Sequence, residues 1–269
     1  MTDIKFKYRT MKQGPGDRAF WEGVIFATAP LEIHDKPFKA LCHLQREWRK
    51  RLSDLNKVGY PPAMNLLQLQ FARNCPPASV LTDQKKVRPC NLRKICPFCW
   101  GRYYVFETWN HAYPAIFTGR NKLSPHNREV VLLESGIVYD SLENLVLGTH
   151  LDREREQTLL KQHCKVHGVM RFEAFFVSPQ DPRRLVLRRS TLAMTEGYNN
   201  ELQDLHGLTR HSKYQNINKK QLSNIVAVAA HYPPALLRAD AVQTKKVLEA
   251  TKGIRTISFR GCMRKPSEH

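Results

Sequence analysis

The 269-residue chain has no stretch approaching the roughly eighteen uninterrupted apolar residues that a membrane helix requires. Its first residues, MTDIKFKYRTMKQ, carry too much charge for a signal peptide. Together these two absences give the expectation of an intracellular, cytoplasmic protein. No H-E-x-x-H, glycine-rich phosphate loop or G-x-S-x-G occurs, so the sequence offers no zincin helix, P-loop or nucleophile elbow. Internal repeats and low-complexity segments are also missing. Acidic residues are scarce: 24 Asp and Glu face 43 Lys and Arg, for a net charge of +19. The excess runs through both halves of the chain and is not confined to a tail. A folded body so cationic repels itself unless a polyanion neutralises it, so nucleic acid is the expected partner, ahead of an acidic membrane surface.

A hydrophobic content of 42% is enough for a sizeable core. Residues 36–58 space Phe38, Leu41, Trp48, Leu52 and Leu55 by three, four and seven, with Lys39, Arg46, Arg49, Lys50 and Arg51 on other faces, which predicts an amphipathic helix with a basic exterior. Residues 61–73, opened by two prolines, predict a second helix. REVVLLESGIVY (128–139) reads as a hairpin, or as one strand broken at Ser135-Gly136, and LENLVLGTHL (142–151) as a buried strand. A helix capped by Asp152 and stopped by Gly168 follows. The clearest hairpin pairs 169–178 with 184–194 around Ser-Pro-Gln-Asp-Pro. Helices are expected near 196–206, 217–231 and 239–251, and a late strand at 253–262. This order predicts an α+β fold with a mostly antiparallel sheet, flanking helices and a cysteine loop. The divisions are a basic helical region (1–74), a cysteine segment (75–110) and an α+β domain (111–269).

Seven cysteines is an odd number, and three of them fall within ten positions of CNLRKICPFCWGR (90–102), which in a reducing compartment favours metal ligation over disulfides. Cys90, Cys96 and Cys99 supply three soft ligands and Cys75 a fourth, a set suited to a closed, structural zinc site. Cys42, His43 and His111 are alternatives to Cys75. Arg88, Arg93, Lys94 and Arg102 would project from the metal-pinned loop, the last three as candidate DNA contacts, while Trp100, Tyr103 and Tyr104 offer flat faces for stacking or packing. The hairpin adds Arg183, Arg184, Arg188 and Arg189 to the candidate DNA contacts. His163 and His167 are four apart and read as a solvated helix face.

Cys75, Cys90, Arg93, Cys96, Pro97, Cys99 and Arg102 together resemble the cysteine segment of plasmid and phage rolling-circle replication initiators, with one additional residue between the second cysteine and C-P-x-C. LVLGTHL (145–151) is similar to that family's first strand motif, and LEATKGIRTISFRGCMRK (248–265) to its closing helix-strand segment. The resemblance implies a ferredoxin-like nuclease sheet of the HUH kind, encoded by a mobile element or phage. In that family a tyrosine cuts one DNA strand, aided by a metal on two histidines of the hairpin. Here Arg189 and Thr191 stand at those two positions, and an arginine repels a cation. The tyrosine is displaced as well: Tyr232 lies towards the helix end, with Tyr198 and Tyr214 as other candidates. The expectation is a zinc-containing DNA-binding protein that has lost nicking activity. The alternatives are an active tyrosine nickase, with a rearranged metal site including His150 or His231, and an RNA-binding protein.

Overall fold

The computed structural model describes residues 37–60, 70, 72–73, 75, 90, 92, 94–96, 99–100, 107, 111–117, 129–178, 181, 183–197, 210–215 and 240–264. These fall into two compact units, one drawn from residues 1–106 and 219–248, the other from 107–218 and 249–269.

In the first unit, α1 (Pro37–Lys57) realises the predicted amphipathic helix. Trp48, Leu52 and Leu55 are buried, and so is Arg51, which the sequence placed on the basic exterior and which the Thr244 hydroxyl holds inside. Trp48 Nε1 donates to the Ala72 carbonyl at 2.6 Å and Arg49 Nε to that of Arg73 at 2.9 Å, fastening the helix to the short helical turn that leads into Cys75. Arg51 donates to Thr244 Oγ1, and Lys245 Nζ to the Val58 carbonyl at 2.9 Å, which ties in the helix that starts at Ala241.

The second unit is built on a five-stranded antiparallel sheet: β1 (Glu129–Tyr139), β2 (Lys165–Val177), β3 (Leu185–Glu196), β4 (Arg210–Gln215) and β5 (Ile257–Gly261), in the order β4-β1-β3-β2-β5. It also contains α2 (Tyr113–Phe117) and α3 (Leu142–His163). The remaining helix, α4 (Ala241–Ala250), is capped by Asp240 Oδ1, which accepts from Val242 N at 2.8 Å. The chain is therefore α+β, with an antiparallel sheet and helices. The connection β1-α3-β2 places β3 between two strands of the same direction, a split βαβ unit. Central β3 is buried without interruption from Arg189 to Thr195, as expected of a strand covered on both faces.

Several expectations are corrected. LENLVLGTHL is helix, not strand: Ser141 Oγ accepts from Asn144 N at 3.1 Å, so α3 starts ten residues before Asp152. Within this stretch Leu145 and Thr149 are buried while Leu147 and Leu151 are exposed, a helical rather than a two-residue period. At its far end α3 stops at His163 without needing Gly168, which lies inside β2. β1 is one unbroken strand, with Gly136 paired to Arg188. β4 is an unexpected strand; its hexapeptide RHSKYQ has no apolar alternation to announce it. The hairpin β2-β3, the 239–251 helix and the late strand are observed. The expected helices at 196–206 and 217–231 lie outside the described residues, as does most of the one at 61–73.

Two glycines are needed where backbone and ring come close. A Cβ at Gly261 (φ +58°) would meet the His167 carbonyl oxygen at 2.1 Å, and one at Gly148 would meet the Tyr139 ring at 2.3 Å. The Tyr139 ring therefore lies against α3, where its hydroxyl donates to Asp152.

Candidate metal centre

The backbone around the cysteines is a pair of tight turns. Cys75 N donates to the Ala72 carbonyl at 3.3 Å, and Ile95 N and Cys96 N both donate to Leu92, at 3.1 and 2.8 Å. Trp100 N then donates to the Cys96 carbonyl at 2.9 Å, folding Cys99 back over Cys96. The result brings four sulfurs together: Cys75 to Cys99 at 3.5 Å, Cys90 to Cys99 at 3.4 Å and Cys96 to Cys75 at 3.5 Å. All four lie within 4.8 Å of one another.

A tetrahedral site with metal–sulfur bonds of about 2.3 Å has sulfur–sulfur edges of about 3.8 Å, so this cluster is the right size for one ion. Cys75, Cys96 and Cys99 are buried and Cys90 is partly so. Burial is the largest cause pushing the Cys75 and Cys96 thiols well above their ordinary range, and neighbouring thiols add to it for Cys96. Four thiolates at such a place require a cation beside them. The donor set is compatible with zinc, and among the described residues it is the one cluster of three or more His, Cys, Asp or Glu that could hold a metal. Cys75 is thus within the set. Cys42 is exposed, His43 contacts Arg46 and His111 is engaged with Glu107 and Met263.

The sheet holds a second polar assembly, at the two positions where the resemblance would put metal-binding histidines. Arg189 is 2% exposed, its Nε donating to Glu173 Oε1 at 2.8 Å and its Nη2 to the Thr149 carbonyl at 3.1 Å. From α3, Arg153 Nε reaches both Glu173 oxygens, at 2.9 and 3.0 Å. One step along the same sheet face, Thr191 Oγ1 donates to Glu156 at 2.9 Å and Arg171 Nε to Glu156 Oε1 at 2.6 Å. Carboxylates do converge here, but each is already bonded to guanidinium. Burial, then the bond to Asp152, holds the Tyr139 phenol above its ordinary range, so it stays protonated.

Arg153, Glu156, Arg171 and Glu173 were not singled out together by sequence reasoning. Their signal was present in β2, where Arg171 and Glu173 sit two apart in a strand that is otherwise free of polar side chains from Gly168 to Val177, and so share one face.

Of the expected DNA contacts, Arg46, Arg49 and Lys50 are exposed on α1, and Arg183, Arg184 and Arg188 on the hairpin. Arg189 is in the interior. Lys94 is half-buried, and desolvation lowers its ammonium to about 8. Arg88, Arg93, Arg102, Tyr103, Tyr104, Tyr198, His231 and Tyr232 lie outside the described residues; Tyr214 is on β4. His150 is exposed on α3. His163 and His167 do not share a helix: His163 ends α3, and His167, on β2, contacts Glu196 at 3.2 Å. No described helix is long and apolar enough to cross a membrane. No family model, curated protein or solved structure matches the chain.

Proposed function

We propose that this chain is a DNA-binding protein held together by a structural zinc ion on Cys75, Cys90, Cys96 and Cys99, related to rolling-circle replication initiators and acting without strand cleavage. The observation that carries the binding reading is the presentation of basic side chains on both units, Arg46, Arg49 and Lys50 on α1 and Arg183, Arg184 and Arg188 on the hairpin, in a chain of net charge +19. Phosphate contacts from such residues supply most of the affinity of a protein for DNA. The zinc reading rests on four converging thiols of matching size; bound there, the ion would close the loop and complete no catalytic step.

The split βαβ order agrees with a ferredoxin-like sheet, although the segment likened to a first strand motif is helix. Loss of cutting is supported by Arg189 and Thr191. A guanidinium and a hydroxyl, both bonded to carboxylates, stand where the nuclease reading needs imidazoles. The experiment is incubation of the purified protein with supercoiled and single-stranded DNA plus manganese. The expected outcome is retarded DNA without a covalent adduct. A protease-sensitive DNA adduct would restore the tyrosine nickase reading, and preferential competition by RNA would move the assignment to an RNA-binding protein.

A further inference from the structure

On a helix of 3.6 residues per turn, Lys39, Arg46, Lys50 and Lys57 fall within about 20° of a single line along α1. All four are exposed, Lys57 while paired to Asp54 at 3.2 Å. The line spans about 27 Å, directly opposite the face that buries Trp48, Leu52 and Leu55. Glu47 and Asp54 lie about 60–80° round to one side, which confines the positive surface there to a stripe rather than a broad field. The other α1 arginines lie off this line. Arg51 is 7% exposed and bonded to Thr244, and Arg49 is fastened to the Arg73 carbonyl.

We propose that this line of four cations is a contact for the phosphate backbone of nucleic acid, insensitive to base sequence. The inference rests on the nucleic-acid reading above and assigns it a surface and a mode. The stripe is a line of exposed cations, three of them lysines, with no aromatic platform among its described residues, so it addresses phosphates and not base edges. An anionic membrane fits less well. A helix that binds a bilayer surface inserts its apolar face, whereas Trp48, Leu52 and Leu55 of that face are buried inside the unit of α1.

The test replaces Lys39, Arg46, Lys50 and Lys57 by glutamine, singly and together, and measures binding to two mixed-sequence DNA duplexes by anisotropy between 50 and 200 mM salt. Glutamine keeps helix propensity, and circular dichroism with metal content checks that the variants fold. Each single change should reduce the salt slope by about 0.9, alike on both duplexes. Four phosphate contacts account for about a 150-fold affinity loss over that salt range, and the fourfold variant should lose this sensitivity.

A folded fourfold variant with the wild-type slope would overturn the proposal. If triple replacement of Arg183, Arg184 and Arg188 then abolished binding, the DNA reading would survive on the hairpin alone. A loss restricted to one duplex, or a stripe-dependent preference for phosphatidylserine vesicles over DNA, would also overturn it. Wild-type protein that bound neither duplex would remove the underlying reading as well.

Discussion

Glu173 is the residue on which the sheet interior turns. It is 1% exposed and bonded to Arg189 from the neighbouring strand and to Arg153 from α3. Removing one partner of such a pair costs far more than replacing both, because the survivor is left charged in the interior. Glu173→Gln should therefore lower stability by about 3–5 kcal/mol in urea denaturation. Joint replacement of Glu173 by Leu and of both Arg189 and Arg153 by Met should cost much less. Equal losses in the two variants would mean that the residues act by packing alone. This site was legible from the residues only in part. The sequence reading treats Arg189 as a surface cation, since the carboxylate that draws it inside lies sixteen residues away on another strand.

At the level of elements, α3 is where expectation and structure part, and Gly148 explains the placing of that helix. The Tyr139 ring occupies the space a side chain at Gly148 would fill. Gly148→Ala should destabilise by about 1–3 kcal/mol through overpacking, and the penalty should shrink when Tyr139 is also changed to Leu. Thermal melts of the double-mutant cycle check this; an undiminished penalty would show that the ring is not the obstacle.

The misreading of 142–151 has a local cause. Its leucines suit either period, and the choice is made by Ser141 capping Asn144 and by a sheet face that takes Leu145 and Thr149 together. The hairpin β2-β3 was legible because turn chemistry and β-rich runs agree over a short span, and α1 because its apolar spacing is regular. β4 was illegible: its pairing with β1, some eighty residues earlier, is set by tertiary contact and not by its own composition.

For the molecule as a whole, charge and metal are complementary requirements. A body carrying +19 pays a cost in self-repulsion, and the first unit contains both a strongly basic helix and a cysteine cluster that a bound cation would cross-link. Structural zinc sites contribute folding free energy outright, so stripping the metal with a chelator should lower the melting temperature and weaken DNA binding together. Unchanged melting after complete chelation would separate the two. The four-cysteine set was the best-read part of the sequence, since ligand type and spacing are local; the buried ion network depended on the fold and was not.

The most direct test is elemental analysis of the purified native chain beside Cys96→Ser. The account predicts one equivalent of zinc per native chain, and loss of that zinc in the variant with a lowered melting temperature. A folded native chain that contains no metal and presents all four thiols to a thiol reagent would contradict it.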